Sequence, residues 1–318
     1  MINDFTNQKP FVVLFLNFTY NLTMKKKYLF LLLFYCSITF GNELTLYFFP
    51  SPYKMDWGSP QRLAKSVLKN TFMPTKYLLR HSIGHVSTEL NCENDGYYHL
   101  SGMTTKDKTE DRDLLLKKKI GLGVVFYPMK GMLQSQKEVK DDLEDRYKKG
   151  RMNWLTFKIS KPTCNRLKTY IQAYEREGIA DVYGLVFNPR KKEGAGCSAF
   201  GVSMLEVAGL MTSEYRTEFS QRVFVNNDLD GFSNGEKKVS FFKVLAGLKG
   251  SIKWVSDKFT GRELFFWRPN LMYEWAQNKI KKVNNRKLND YKIITRGKTK
   301  GLLIDRSKTP TPNEPIFY

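Results

Sequence analysis

The sequence predicts an α+β fold in which helices and short strands are mixed along one chain. β-rich segments are short and bounded by glycine, proline or asparagine, whereas apolar residues recur at helical spacing after Cys197. The 318 residues are 42% hydrophobic and 14% aromatic, which is enough for a substantial core. No internal repeat and no long linker divides the chain, so we expect a single domain over residues 42–318 with a C-terminal elaboration.

Local signals place the elements in chain order. Pro50 ends a first β-rich run, and Ser59 followed by Pro60 is a typical helix N-cap and first helical residue. Asn94-Asp95-Gly96 is a strong turn signal that predicts a hairpin. Strands are predicted at residues 43–49, 83–90, 97–102, 121–127, 153–160, 214–225 and 301–305. Helices are predicted at residues 60–70, 107–118, part of 132–149, 163–177, 240–248 and 269–282, besides the one after Cys197.

Residues 1–41 are predicted to be an upstream extension followed by a secretory signal peptide. Met24 and three lysines precede an almost wholly apolar run over residues 28–40, and Gly41 follows as a small cleavage residue. The run is short for a membrane span, although an uncleaved N-terminal anchor is the alternative. We therefore expect cleavage near Gly41 and an exported protein that is periplasmic, envelope-associated or secreted.

The chain is strongly basic, with a formal net charge of +21. Loss of residues 1–41 removes four lysines and one aspartate and leaves +18. In an exported protein this charge favours anionic lipid, acidic envelope polymers or other anionic partners, unless it is only solvated surface. Nucleic acid is not an expected partner, because the sequence has no zinc-ligand pattern, no aromatic-glycine RNA-binding motif and no basic helix with a leucine repeat.

Cysteine usage points to one free thiol. Removal of the signal leaves Cys92, Cys164 and Cys197, and an odd count in an oxidising compartment leaves a free thiol or an intermolecular bridge. A bridge between Cys92 and Cys164 would leave Cys197 free. The alternative is that Cys92 and Cys164 are both unpaired and buried.

Cys197 is the candidate nucleophile. Gly194 and Gly196 precede it, and the apolar spacing of the following residues places it at the first turn of a helix. At that position unpaired backbone N–H groups and the helix dipole stabilise a thiolate, and the glycines would let the backbone approach a substrate. The alternative is a small buried side chain at a helix start.

His85 is the candidate base for this thiol. A thiol nucleophile needs an imidazole within hydrogen-bond reach and a third polar group that orients the imidazole. Glu89 lies on the same predicted strand face as His85, and His99 lies on the partner strand. Both are therefore candidates for the third position, while a purely structural histidine in a half-buried strand is the alternative.

The order of these residues resembles that of the circularly permuted papain-like cysteine hydrolases, relatives of the NlpC-type cell-wall peptidases and of the lecithin:retinol acyltransferases. The resemblance rests on Gly84-His85-Val86 in a strand, a second short strand with a polar residue, and a later cysteine that opens a core helix. It covers roughly residues 83–210. It implies an antiparallel sheet packed against the helix that carries Cys197, with His85 as base and His99 or Glu89 as the third group. Tyr183 would assist the oxyanion.

The resemblance implies acyl transfer, or hydrolysis of an amide, ester or thioester bond, on an acyl or peptide substrate such as peptidoglycan or lipid. The competing hypothesis is a non-catalytic envelope module whose basic surface binds anionic lipid or polymer. We expect no cofactor and no metal. Residues 227–231 are similar to the start of a calcium loop, but no glutamate stands at the closing position.

Overall fold

The computed structural model describes residues 41–72, 81–233, 238–246, 253–285, 288 and 290–318. Residues 41–318 group as one compact unit, and the fold is of the predicted α+β class. The signal-peptide prediction concerns residues 1–40, which lie outside the described residues. Among the helices described, none has both the length and the apolar character that a membrane crossing needs.

Eight helices and eleven strands are present in the described residues. The strands are β1 (Glu43–Phe49), β2 (His85–Cys92), β3 (Tyr97–Ser101), β4 (Met103–Thr105), β5 (Met129–Leu133), β6 (Asn153–Lys158), β7 (Val182–Tyr183), β8 (Ser220–Asn226), β9 (Gly261–Trp267), β10 (Lys292–Arg296) and β11 (Thr299–Asp305). The helices are α1 (Pro60–Phe72), α2 (Glu110–Leu116), α3 (Gln136–Lys149), α4 (Lys161–Arg176), α5 (Cys197–Val207), α6 (Ser213–Phe219), α7 (Phe241–Ala246) and α8 (Pro269–Asn284).

A six-stranded sheet with the order β10-β11-β6-β1-β2-β3 forms the centre of the protein. β2 and β3 form the predicted hairpin, in which Cys92 pairs with Tyr97. The sheet is mixed rather than antiparallel throughout, because β11 runs parallel to β6 while the other neighbours are antiparallel. Strands β4, β5 and β7 form a second small sheet, and β8 pairs with β9 in a third.

The two faces of the central sheet carry different clusters. Successive side chains of a strand point to opposite faces, so Leu46 and Phe48 of β1 join the large core with α4, α5 and α8. Tyr47 and Phe49 point the other way and pack with Val139 of α3. The sheet is thus covered on both faces, and α5 lies against β2 on the side of the larger core.

Two predicted strands differ from the structure. Residues 122–126 form a short 3₁₀ turn instead of a strand, after Gly121 at a φ of 56°. Residues 213–219 are helical rather than extended, because the Thr212 side chain accepts a hydrogen bond from the backbone N–H of Tyr215 and so caps α6. Only the later part of that predicted strand is extended, as β8.

Cys92 and Cys164 form a disulfide bond, with their Cα atoms 5.8 Å apart. The bond joins the end of β2 to α4, and Cys197 is a free, buried cysteine. The predicted pairing is confirmed.

Candidate active site

Cys197 is the first residue of α5, as its sequence context predicts. The N-cap is Gly196, which supplies no side-chain cap to the first turn. The two glycines before Cys197 lie in close contact with neighbouring backbone. Gly194 has a φ of 101°, and a Cβ on it would lie 2.5 Å from the carbonyl oxygen of Val182, while one on Gly196 would lie 3.0 Å from that of Gly184. They therefore let this segment pack against the chain around β7.

His85 is the first residue of β2 and is only 4% exposed. Its Nε2 lies 2.6 Å from Oε1 of Gln134, so the imidazole N–H donates to the amide oxygen. Gln134 follows β5 and is itself fixed: its backbone N–H donates to Gly102, and its carbonyl oxygen accepts from the Ser101 hydroxyl. Because Nε2 is engaged in this way, Nδ1 is the nitrogen left for Cys197.

Cys197 and His85 act on each other electrostatically. Burial alone would raise the pKa of the Cys197 thiol, but the charge of His85 and a hydrogen bond to its ring outweigh burial and lower that pKa to about 7. Burial alone would lower the pKa of His85, whereas the charge of Cys197, its hydrogen bond and Gln134 together raise it. Opposite shifts of this kind favour a thiolate–imidazolium pair near neutral pH.

Three further groups surround the Cys197 sulfur. The backbone N–H of Val86 hydrogen-bonds to it, and the Ser198 hydroxyl oxygen lies 3.8 Å away. The Tyr183 hydroxyl interacts with both the sulfur and the backbone N–H of Cys197, and the pKa of Tyr183 is raised by burial and then by the Cys197 charge. Tyr183 therefore stays protonated and can donate a hydrogen bond beside the sulfur.

A second histidine, His81, packs against the ring of His85. The rings of His81 and His85 stack with centroids 4.2 Å apart, and Nε2 of His81 donates to Oδ2 of Asp142 at 2.7 Å. Burial, and then the charge of His85, lowers the pKa of His81 to about 4, so His81 is neutral at pH 7. Asp142 also contacts the fully buried guanidinium of Arg146, at 3.5 Å.

His99 and Glu89, the two predicted candidates for the third position, do not contact His85. The ring of His99 stacks on Tyr97, and its buried Nε2 has no hydrogen-bond partner among the described residues. Glu89 accepts hydrogen bonds from the hydroxyls of Tyr47 and Tyr98. His99 pairs with Leu90 and Glu89 with Leu100, and both strand positions are remote from the β2 end where His85 lies.

Gln134 occupies the position that the sequence reasoning assigned to His99 or Glu89. One signal was available in the sequence, since Ser135 and Glu138 form a capping box that starts α3 at Gln136. Such a start leaves Gln134 between β5 and α3 rather than inside a helix. Its contact with His85, 49 residues away, depends on the pairing of β4 with β5 and has no local pattern.

Cys197 also lines a cavity of about 290 Å³. Most of the lining side chains are apolar and come from α1, α2, α7, β9 and the turn after Gly121. The nucleophile candidate therefore faces a space that can hold an apolar group.

The described residues contain no group of three or more His, Cys, Asp or Glu side chains that could hold a metal ion. No protein-family model, curated protein or solved structure matches this chain.

Proposed function

We propose that this protein is an exported thiol hydrolase or acyltransferase of the permuted papain-like type, acting on an ester, thioester or amide bond. The observation that carries the proposal is the buried Cys197–His85 pair, in which each group shifts the pKa of the other toward the charged state. A buried ion pair is costly to form, and strongly shifted pKa values are concentrated at reactive sites.

In the proposed reaction each group has its own step. The Cys197 thiolate attacks the carbonyl carbon of the substrate, and the backbone N–H of Cys197 with the Tyr183 hydroxyl stabilises the oxyanion that forms. His85 then gives its proton to the leaving group as the acyl–oxygen, acyl–sulfur or acyl–nitrogen bond breaks. In the second step, His85 takes a proton from water or an acceptor alcohol that attacks the thioester. Gln134 holds the imidazole in place throughout.

Two features beyond the site support the rest of the proposal. The helix that begins with Cys197 packs on a sheet whose histidine strand comes earlier in the chain, which is the order of the permuted enzymes. Disulfides such as Cys92–Cys164 persist in oxidising compartments, which agrees with export.

The test is the pH dependence of alkylation at Cys197 by iodoacetamide, followed by peptide mass mapping so that Cys36 of the uncleaved chain is counted separately. We expect an inflection near pH 7 in the wild type, because His85 lowers the thiol pKa. In His85→Ala we expect the inflection to move upward from the wild-type value, because burial raises the thiol pKa and the His85 charge no longer opposes it, leaving only the hydrogen bonds from the Val86 N–H and the Ser198 hydroxyl to lower it.

His99→Ala is the matched control, since His99 is a partly buried histidine with no contact to His85, and its inflection should equal that of the wild type. An unchanged profile in His85→Ala would remove the proposed pair. The binding-module hypothesis makes the opposite prediction: anionic vesicle binding that falls with salt and is indifferent to Cys197→Ser, with a thiol that does not react in the folded protein.

A further inference from the structure

The cavity beside Cys197 has an apolar wall built from elements distant in sequence. Leu63 and Ala64 of α1, Val244 of α7 and Phe266 of β9 all line it and are buried. The exposed side chains Asp111 and Ile83 also border the space, so the cavity has a solvent side as well as an enclosed side. A group bound there is surrounded by hydrocarbon along most of its length.

Two polar side chains that line the cavity, Arg268 and Asn270, already have hydrogen-bond partners within the protein. The Arg268 guanidinium donates to the Gln221 side chain and to the carbonyl oxygen of Met55. The Asn270 side chain exchanges hydrogen bonds with the backbone N–H and the hydroxyl of Ser51. Neither side chain needs a ligand to satisfy its main hydrogen bonds.

A peptide is a poor occupant of this space. Each residue of a peptide brings an N–H and a carbonyl group, and leaving such groups unpaired in an apolar site costs about 1–3 kcal/mol each in proteins. An aliphatic chain has no such groups, and its transfer out of water is favourable. The lining of the cavity therefore selects hydrocarbon over the peptide alternative.

The position of Cys197 in the wall also indicates which part of the substrate the cavity holds. The acyl part of a substrate stays bonded to the sulfur between the two steps, whereas the leaving group must depart after the first. A recessed apolar space that retains its occupant therefore suits the acyl part of the substrate. The leaving group and the incoming water or alcohol would use the solvent side.

We infer that the cavity binds the aliphatic chain of a fatty-acyl ester or thioester, and this inference rests on the proposed function. The Cys197 sulfur bonds to the acyl carbon as the bond to the leaving oxygen or sulfur breaks, and His85 gives that leaving atom a proton. Water then attacks the acyl–sulfur bond, giving its proton to His85, and the products are the free fatty acid and the restored thiol.

The test is a series of 4-nitrophenyl esters from acetyl to dodecanoyl, each below its micellar concentration, with intact-mass detection of the acyl group on Cys197. We expect kcat/KM to rise by about fourfold for each added methylene until the cavity is full. A flat or falling series, with Cys197 still acylated by the acetyl ester, would overturn the chain-binding inference and leave the nucleophile standing. Absence of acylation by every ester, together with an unreactive thiol, would remove the proposed function and this inference with it.

Substitutions in the cavity wall test whether the dependence of kcat/KM on chain length arises in this cavity. Ala64→Phe places a ring in the cavity and should lower kcat/KM for the decanoyl ester by about tenfold or more, with little change for the acetyl ester. Lys65→Met is the control, because Lys65 is the exposed neighbour on the same helix. If Ala64→Phe fails to fold, Val67→Leu makes a smaller change in the same wall. Equal losses for both esters in the folded variant would contradict the inference.

Discussion

His85 is held between two polar neighbours that differ in what they do. Gln134 accepts a hydrogen bond from Nε2 at 2.6 Å, and His81 stacks on the ring while its own Nε2 donates to Asp142. Gln134 fixes the tautomer and the rotation of the imidazole, since the protonated Nε2 must point to an acceptor. Neutral His81 supplies a flat surface that limits tilting without adding a like charge beside His85.

The role of Gln134 gives a prediction at this scale. Gln134→Ala removes the acceptor and should lower kcat about tenfold, because a buried hydrogen bond to a polar side chain is worth roughly 1–2 kcal/mol. Gln134→Glu keeps an oxygen in place and should retain most of the activity, while its added charge raises the pKa of His85 further. The measurement is the pH profile of ester hydrolysis for both variants. Equal activity of Gln134→Ala and the wild type would contradict a positioning role.

At the scale of elements, local sequence patterns correctly predicted the turns and helix starts that depend on neighbouring residues. The turn at Asn94-Asp95-Gly96, the N-cap before α1 and the helix that starts at Cys197 all depend on a few neighbouring residues, and all lie where expected. The segment over residues 122–126 is different: its apolar, β-branched composition favours a strand, but its side chains line the cavity from a 3₁₀ turn. Tertiary packing outweighed propensity there.

The candidate site also combines residues that local sequence patterns predict with one that only tertiary packing determines. Cys197 and His85 carried recognisable signals, a helix start and a position within a predicted strand, and the structure brings them together. The third group had no recognisable sequence signal, because the small sheet determines which residue lies beside Nε2 of His85. The register of β4 on β5 and the hydrogen bond from Gln134 to Gly102 determine this, and no sequence spacing reports them.

The two glycines that flank β3 allow a test of this element-scale positioning. A Cβ on Gly102 would lie 2.8 Å from Oε1 of Gln134 and 3.0 Å from Nε2 of His85, so Gly102→Ala should separate those atoms and reduce activity about tenfold or more. A Cβ on Gly96 would meet nothing within 4 Å, but its φ of 60° is unfavourable for alanine. Gly96→Ala should therefore cost about 1 kcal/mol of stability and leave activity unchanged. The reverse pattern, measured by urea unfolding and ester hydrolysis, would contradict the packing of the site.

At the scale of the whole molecule, the disulfide joins the site to the larger core. It closes a loop of 72 residues that contains β3, β4, β5 and β6, and it fixes the far end of the strand that begins with His85. Both sulfur atoms are buried, with Cys164 fully enclosed and Cys92 1% exposed. The cross-link therefore limits how far β2 can separate from α4 when the chain opens.

Removal of this cross-link is expected to destabilise the entire fold more than the site. A loop of this length corresponds to roughly 4 kcal/mol of unfolding free energy in the chain-entropy account. The variant Cys92→Ala with Cys164→Ala should lose about that amount in urea unfolding, whereas its Cys197 alkylation profile at low urea should keep the inflection near pH 7, because His85 and Gln134 remain in place. Wild-type protein unfolded with a reductant is the control for the small cavities that alanine leaves, since it lacks the bond but keeps both sulfur atoms. A double variant as stable as the oxidised protein would contradict the stabilising role of the disulfide, and a thiol inflection that moved toward 9.0 would show that the disulfide positions the nucleophile.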